Sequence, residues 1–440
     1  MITVSLKEYG LLKRGGESAA LSCQSIPVAA WDWLLANSTS LQLSGNDKLV
    51  ELIRPIRKSG ELCLQVVNYC GVLELPGNVR VEILPKVTAS EDDLPKTRQL
   101  LYKMLSRVHN LNLKAFHSSS LQTFKRPLIE ILISRFLEDV KHMIKRGIQS
   151  DYSRRSKELR FLRGQLRVSD QLRQRPGRSH FFQVDFDEYL PDMAENRLIS
   201  SALLQVSKWA KSPENQRLCR ELLFVFADIP RSTSIQTDFT AWKSDRGMVH
   251  YHELKPWCEL ILNKSTPLSL VGFSKGVSFL FPMEVLFERF VGLSLYRQLS
   301  RDLVLKEQAS SKYLVQHQGS GLFQLKPDFL VTRGSRAITV LDTKWKLITE
   351  KEGSSKDKYE LSQTDMYQLF AYGEKYLGGK GEIYLIYPKH EKFQHPLPPF
   401  DFSEKLRLWV LPYDLDKECL IYSKGSSELL TFSSEYAAAS

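Results

Sequence analysis

The stretch that decides the fold is KPDFLVTRGSRAITVLDTKWK, which covers residues 326–346. It places Asp328 at the head of one apolar run and Asp342 at the tail of the next, with thirteen residues between them. The two β-prone segments, 329–332 and 337–345, flank a turn rich in Gly and Ser, which is a hairpin signal. We therefore expect two paired antiparallel strands here.

The register of this hairpin decides whether its charged residues meet. Side chains on a strand alternate between two faces, so Val340, Asp342 and Lys344 share one face. An odd number of loop residues places Asp328 opposite Val340 and diagonal to Asp342, at roughly 7–8 Å between backbones. A two-residue loop places Asp328 on the wrong face. The pattern thus predicts a three-residue loop or a β-bulge, if the carboxylates are to converge.

Converging carboxylates suit one kind of chemistry. Their oxygens suit a hard cation such as Mg²⁺, or Mn²⁺ in its place, which keeps several waters and bridges to a phosphate. Such an ion lowers the pKa of a bound water and neutralises charge on a phosphodiester. Lys344 adds a positive charge beside Asp342. The set fits hydrolysis of a nucleic acid backbone; the alternative is a surface hairpin with ordinary acids and a salt-bridging lysine.

Residues 282–299, PMEVLFERFVGLSLYRQL, predict a helix upstream of the hairpin. It opens with Pro near its first position and carries apolar residues at helical spacing. Glu288 lies at the border of that apolar stripe, where a carboxylate usually has a partner. Glu288 is therefore a further candidate for the metal site; the alternative is a helix-edge glutamate bound to an arginine.

Residues 361–377, LSQTDMYQLFAYGEKYL, predict a helix downstream. Asp365, Gln368 and Tyr372 share one of its faces. Gln368 and Tyr372 are candidate DNA-binding residues; the alternative is a partly buried amphipathic helix.

The whole chain has 440 residues and a formal net charge of +11. This length predicts two or three domains, and the charge favours a polyanionic partner. Turn-punctuated strand patterns indicate a β-rich domain over residues 1–92 that serves partner docking. Helical patterns indicate a mainly helical region over residues 93–262, and residues 263–440 hold the catalytic candidates.

Several functional classes are disfavoured by what the sequence lacks. It has no window of eighteen apolar residues and no apolar secretory core at its start, so we expect no membrane association and a cytoplasmic protein. Its six cysteines include no Cys-x-x-Cys pair, so neither disulfides nor zinc are indicated. Neither common phosphate-binding loop motif is present, so we expect this chain to bind no nucleotide itself.

Residues 141–178 contain twelve lysines and arginines against three acidic residues. Such a run can follow a phosphate backbone. It can equally be a solvated face or a contact for an acidic partner subunit, and the sequence leaves DNA and protein contact open.

Several of these patterns resemble a known nuclease superfamily. Pro327-Asp328 followed by Asp342-Thr343-Lys344 resembles the signature of the PD-(D/E)XK nucleases. Gln368 and Tyr372 resemble the extra motif of their RecB-type branch, whose residues help to hold the DNA strand and the catalytic lysine.

Motifs elsewhere resemble the McrC family, the nuclease subunit of the McrBC modification-dependent restriction systems. They are Glu8-Tyr9-Gly10, Asn68-Tyr69-Cys70-Gly71-Val72-Leu73, Val81-Glu82-Ile83-Leu84-Pro85-Lys86, Leu162-Arg163-Gly164-Gln165-Leu166 and Phe186-Asp187-Glu188-Tyr189 with Asp192 and Glu195-Asn196-Arg197-Leu198. The family usually has a basic residue where Gln165 stands. We interpret the acids Asp187, Glu188 and Asp192 as capping and pairing with Asn196 and Arg197 and not as metal ligands.

The resemblance implies an α+β multidomain chain: an N-terminal β-rich domain, a helical middle region and a C-terminal α/β PD-(D/E)XK nuclease domain with a mixed sheet. It implies a Mg²⁺-dependent DNA endonuclease subunit of a type IV, modified-cytosine-dependent restriction complex. That subunit docks on, and stimulates, a hexameric AAA+ GTPase (McrB-like), which binds the GTP. On the matching positions, Asp328, Asp342 and Glu288 hold metal, Lys344 assists catalysis, and Gln368 and Tyr372 orient strand and lysine.

Two alternatives remain. One is a stand-alone DNA repair or mobile-element nuclease of the same superfamily, and the other is a non-catalytic activator of an AAA+ partner. The sequence does not reveal the modified base or its context, GTP or ATP in the partner, or the stoichiometry of the complex.

Overall fold

The computed structural model describes residues 2–16, 22–38, 42–45, 48–87, 93–111, 123–178, 180–243, 246–262, 278–351 and 358–422. The chain divides into two compact units. The first unit joins residues 1–128 to residues 267–440, and the second unit is residues 129–266.

The N-terminal part of the first unit consists mainly of short strands. They are β1 (Ile2–Lys7), β2 (Leu11–Arg14), β3 (Cys23–Ile26), β4 (Gln42–Gly45), β5 (Lys48–Glu51), β6 (Ile53–Lys58), β7 (Glu61–Val66), β8 (Tyr69–Leu75) and β9 (Val79–Leu84), with helices α1 (Val28–Asn37) and α2 (Leu94–Val108). One sheet has the order β3-β2-β7-β6, a second contains β1-β9-β8, and β4 pairs with β5. In the turn between β8 and β9, Gly77 and Asn78 both have positive φ, which these two residue types tolerate best.

The second unit combines helices with one small sheet. Its elements are α3 (Leu128–Arg146, beginning at the unit boundary), β10 (Asp151–Leu159), β11 (Gln165–Leu166), α4 (Val168–Leu172), β12 (Phe182–Leu190), α5 (Ala194–Trp209), α6 (Pro213–Val225), α7 (Ile235–Ala241), α8 (Val249–His252) and α9 (Lys255–Leu262). Helix α3 buries Leu132, Phe136, Val140 and Met143 at helical spacing, as its sequence predicts.

Helices make up most of this unit, and the sheet β10-β12-β11 is an addition that the sequence patterns did not indicate. Much of the basic stretch lies on and around its strands. Strand β10 has no buried residue, so it shows none of the apolar and polar alternation by which a half-buried strand is recognised.

The C-terminal part of the first unit is built on a mixed sheet. Its elements are β13 (Ser278–Pro282), α10 (Met283–Gln298), β14 (Val304–Glu307), β15 (Lys312–His317), β16 (Ser320–Leu325), β17 (Phe329–Arg333), β18 (Arg336–Thr343), α11 (Gln363–Leu377), β19 (Gly381–Pro388), β20 (Phe400–Ser403), β21 (Leu406–Asp414) and β22 (Cys419–Leu420). The strand order is β14-β17-β18-β19-β21-β20, with β22 beside β21 and a separate β15–β16 hairpin.

Strand direction within this sheet follows from the connections. Strands β17 and β18 are antiparallel, whereas β18, β19 and β21 run parallel. Helix α11 connects β18 to β19, as a parallel crossover requires. Its Leu369 and Tyr372 are buried in one cluster with Leu330, Val340 and Leu385. The predicted mixed sheet is therefore present.

The boundary predicted after residue 92 lies inside the first unit. Strand β13 pairs antiparallel with β8, so residues 278–282 extend the N-terminal sheet. The carbonyl of Asn68 also accepts a hydrogen bond from the amide of Met283 at 3.1 Å. Backbone pairing thus joins segments that the sequence analysis assigned to two domains. Among the described helices, none is long and apolar enough to cross a membrane.

Candidate active site

A β-bulge in the β17–β18 hairpin sets the position of the two acidic residues. The turn has two residues, since Arg333 pairs with Arg336, but the register shifts between Val331 and Thr332 and leaves Ile338 as an extra residue. Beyond the bulge, Phe329 lies opposite Leu341. Continuing this register by one residue places Asp328, which precedes β17, opposite Asp342. Directly opposed residues share a face.

Of the two predicted possibilities, a three-residue loop or a bulge, the hairpin has the bulge. The pairing of Asp328 with Val340 was expected for an odd-numbered loop; with the two-residue turn and the bulge, Val340 pairs with Leu330. Without the bulge, the two-residue turn would place Leu341 opposite Asp328, and Asp342 would project from the other face. One extra residue therefore brings the two carboxylates to the same side of the sheet.

Asp328 is held by the residue that lies between Asp342 and Lys344. Its Oδ2 atom accepts a hydrogen bond from the amide of Thr343 at 2.7 Å and another from the Thr343 hydroxyl at 2.6 Å. Burial raises the pKa of Asp328, and the two hydrogen bonds from Thr343 and the charge of Lys344 oppose that rise. Both bonds converge on one oxygen, so the carboxylate is fixed in orientation.

Asp342 is buried, with 1% of its surface exposed. Its Oδ2 atom lies 2.6 Å from the ammonium of Lys344. Burial, followed by the negative charge of Asp328, raises the pKa of Asp342 to about 7. Burial alone would lower the pKa of Lys344, but the charge of Asp342 raises it overall above its ordinary value. The lysine therefore carries a positive charge at neutral pH.

Glu288, on helix α10, lies close enough to Asp328 for the negative charge of Asp328 to affect its pKa. Burial, followed by the charge of Asp328, raises the pKa of Glu288 to about 7. Its Oε1 atom accepts a hydrogen bond from Gln308 Nε2 at 3.1 Å. The hydrogen-bond partner of Glu288 is therefore a glutamine and not the arginine of the alternative interpretation. The negative charge that raises its pKa is that of Asp328.

Gln368 and Tyr372, on helix α11, form a chain of hydrogen bonds that leads toward Asp328. Gln368 Nε2 donates to the Tyr372 hydroxyl at 2.6 Å, and that hydroxyl donates to the carbonyl of Lys326 at 2.9 Å. Tyr372 is buried, with 2% exposed, so in this arrangement it supports the segment carrying Asp328 and presents no surface to DNA. Gln368 is half-buried.

The donor set fits a hard cation held by two carboxylates. Asp328 and Asp342 supply oxygens, and Mg²⁺ is usually bound by one or two carboxylates together with waters and substrate phosphates. Across the residues that the structure describes, no three Asp, Glu, His or Cys side chains converge closely enough to hold one ion. Glu288 is therefore not assembled with the two aspartates as a ready three-carboxylate site.

Three residues near the site were not selected from the sequence. Thr343 orients Asp328, Gln308 binds Glu288, and the charge of Asp365 acts on both Asp342 and Lys344. Thr343 is the middle residue of the Asp342-Thr343-Lys344 motif, and a hydroxyl between two charged residues only weakly indicates a role in the site. Asp365 shares a helix face with Gln368 and Tyr372, which the periodicity did show. Gln308 had no sequence signal.

Among the acids of the second unit, the predicted pairing with Arg197 is present for Asp192, whereas Glu188 pairs with a lysine instead. Asp192 pairs with Arg197 and Arg155, both at 2.9 Å, and Glu188 pairs with Lys157 at 3.2 Å. Other cations of the basic stretch are also paired: Arg154 with Asp185 and Arg178 with Glu158. The stretch is therefore less positive than its composition suggests.

The fold is similar to that of a chain in a solved assembly of McrB and McrC. The chain is similar to a chain in the refined half-complex from the tetradecameric assembly of Thermococcus gammatolerans McrB AAA+ hexamers with bound McrC. The TM-score is 0.68 at 20% identity, over 96% of this chain and 97% of that one. A chain in the cryo-EM structure of the Thermococcus gammatolerans McrBC complex matches with a TM-score of 0.49 at 22% identity, over 67% of this chain and 87% of that one.

The family is shown by a sequence comparison. The model of the McrBC 5-methylcytosine restriction system component matches residues 64–388, well over half of the chain. The chain belongs to this family. A search of curated proteins returned no match.

Proposed function

We propose that this chain is the Mg²⁺-dependent DNA endonuclease subunit of a type IV restriction complex that cuts DNA containing modified cytosine. The observation that carries the proposal is the arrangement of Asp328, Asp342 and Lys344. A bulge opposes the two aspartates on one face, and the lysine ammonium lies 2.6 Å from Asp342 Oδ2. The family match supports the restriction context.

Each side chain has a separate task in this proposal. Asp328 and Asp342 hold the metal ion, and Glu288, beside Asp328, completes the site from helix α10 when DNA and metal are bound. The bound Mg²⁺ supplies an activated water and neutralises charge on the scissile phosphate. Lys344 stabilises the phosphate or the attacking water from its place next to Asp342. Gln368 contacts the DNA strand, and Tyr372 fixes the segment that carries Asp328.

Paired carboxylates can also serve as structural ion-pair partners. Here the excess of carboxylates over ammonium groups favours a metal-dependent catalytic role. Two carboxylates beside one ammonium leave a net negative charge in a buried place, which costs free energy unless a cation compensates it. The raised pKa of Asp342 records that cost. A structural ion pair with Lys344 needs only one carboxylate. A metal-dependent nuclease needs the second carboxylate as well, to bind the cation.

The partner in this proposal is a hexameric AAA+ GTPase. The solved assembly with the similar fold contains McrB AAA+ hexamers with bound McrC. We propose that this chain docks on such a hexamer through its N-terminal β-rich residues 1–92 and stimulates its GTP hydrolysis. The partner binds the nucleotide, and the complex acts on DNA in the cytoplasm.

The test is cleavage of plasmid DNA, with and without 5-methylcytosine, by the chain alone and with its AAA+ partner, in Mg²⁺ with GTP or ATP. We expect cutting of the methylated plasmid only when partner, GTP and Mg²⁺ are all present. Asp342→Ala and Lys344→Ala should each abolish cutting and leave stimulation of the partner's GTPase intact. Cutting by either variant at the wild-type rate would remove the proposed active site.

The remaining arms separate the alternatives. Cutting by the chain without the partner would indicate a stand-alone nuclease. Stimulation of GTP hydrolysis with no cutting under any of these conditions would indicate a non-catalytic activator.

A further inference from the structure

The chain after strand β18 is held in place by residues from the start of the sequence. Trp345, the residue after Lys344, is buried, with 3% exposed. Its indole Nε1 donates a 2.6 Å hydrogen bond to Oε1 of Glu8, which lies 337 positions earlier in the chain. Both residues belong to the first unit.

Glu8 is itself fixed at the end of β1. Its side chain is buried, with 3% exposed. The same Oε1 atom accepts a second hydrogen bond, from the amide of Lys86 at 3.0 Å. The amide of Glu8 donates to the carbonyl of Leu84 at 2.8 Å. The carboxylate thus connects two segments of the N-terminal sheet to the indole of Trp345.

Lys86 makes a second connection to the same residue. Its ammonium donates to the carbonyl of Trp345 at 3.0 Å and lies 4.5 Å from the ring centre of Tyr9. The aromatic face stabilises the charge. The Trp345 ring also packs on Phe287 at 5.2 Å. Trp345 is therefore held through its indole N–H, its carbonyl and its ring.

These contacts matter because the chain leaves the sheet at Lys344. Strand β18 ends at Thr343, and residues 344–350 have no regular secondary structure. Past the strand end, the amide of Lys344 donates to the carbonyl of Ile386. A lysine side chain is a flexible chain of four carbons, so the position of its ammonium depends on a fixed backbone. The contacts to Trp345 supply that restraint on the following residue.

We propose that Glu8 and Lys86 are positioning residues for DNA cleavage: through Trp345 they hold the backbone so that the Lys344 ammonium stays beside Asp342. This inference rests on the proposed function. It makes the end of the N-terminal sheet a support of the active site, in addition to any docking role. Neither residue touches the reacting atoms.

The test compares Lys86→Met with a matched control, Lys103→Met. Lys103 also donates from the N-terminal part to backbone carbonyls of the C-terminal part, at 3.0 Å to Leu415 and 2.6 Å to Asp416. We expect Lys86→Met to lower kcat for cutting of methylated plasmid roughly tenfold or more with KM for DNA unchanged, since small displacements of a catalytic group are costly. Lys103→Met should keep the wild-type kcat, and Lys86→Arg should recover part of it.

Two further variants keep the result decisive. Trp345→Phe retains the ring on Phe287 but loses the N–H that binds Glu8, so it should lower kcat in the same way if Lys86→Met does not fold. Asp342→Ala marks the rate without catalysis. A wild-type kcat in Lys86→Met or in Trp345→Phe, or an equal loss in Lys103→Met, overturns the positioning role alone. Absence of cutting by the wild-type complex overturns both the proposed function and this inference.

Discussion

The ammonium of Lys344 lies 2.6 Å from the carboxylate of Asp342, which is almost fully buried. Asp328, the residue before strand β17, adds a second negative charge that acts on Asp342. One cation therefore faces two carboxylates. The excess negative charge favours a divalent ion, which Asp328 and Asp342 would hold with the Lys344 ammonium beside them.

Removing the lysine should affect cutting and stability together. In Lys344→Met, Asp342 loses its charged partner in a buried place, and breaking such a pair costs about 3–5 kcal/mol when the remaining charge stays ionised. We expect cutting to fall at least about 100-fold. The stability loss, measured by urea unfolding without metal, should be larger near pH 8 than near pH 6, because Asp342 protonates with its pKa of about 7. Lys346→Met is the control, since Lys346 binds the carbonyl of Glu360.

Removing one hydroxyl tests the orientation of Asp328. Thr343→Val deletes the Oγ1 donor to Asp328 Oδ2, which should cost about 1–2 kcal/mol of unfolding free energy and lower the cleavage rate severalfold. Thr339→Val is the matched control, because Thr339 on the same strand donates to the carbonyl of Glu382 at 2.6 Å. Equal cleavage by the two variants at equal stability would contradict the assigned role of Thr343.

Two tyrosines on helix α11 provide a second matched pair. The hydroxyl of Tyr372 donates to the carbonyl of Lys326, and that of Tyr376, one turn later, lies within hydrogen-bond distance of two carbonyls, those of Ala309 and Leu325, and shares its one hydrogen between them. Each Tyr→Phe change should cost about 1 kcal/mol of unfolding free energy. Only Tyr372→Phe should also slow cutting, because Lys326 lies two residues before Asp328. A slower rate in Tyr376→Phe as well would argue for a general effect of loosening the helix.

The metal-free chain should lose stability as the pH rises through the range in which Asp342 titrates. The pKa of Asp342 is raised from 3.8 to about 7 by burial and then by Asp328. Between these values the folded chain keeps a proton that the unfolded chain has lost. The contribution to stability is therefore full below pH 3.8 and is lost as the pH approaches 7. Thermal unfolding in the presence of a chelator should show a smaller loss across this range for Asp342→Asn than for the wild type; identical slopes would refute the assignment.

Local pattern predicted much of the fold because each element carries its own period or turn signal. Helices α10 and α11 lie where helical patterns indicated them, and the hairpin β17–β18 lies where two β-prone segments flank a turn. The sheet β10-β12-β11 was missed, since strand β10 buries no side chain. The link between β8 and β13 was missed because strands about 200 residues apart pair by backbone hydrogen bonds, which carry no side-chain code.

The sequence by itself determined which groups can act: two aspartates with thirteen residues between them, a lysine two positions on, and a helix carrying Gln368 and Tyr372. Tertiary structure decided how they meet. A single extra residue, Ile338, moves Asp342 to the face of Asp328, and the carboxylate of Glu8, which follows the first strand, binds the tryptophan next to Lys344. Periodicity is a short-range property, whereas a bulge or a buried contact forms only where the packing of distant segments compensates its cost.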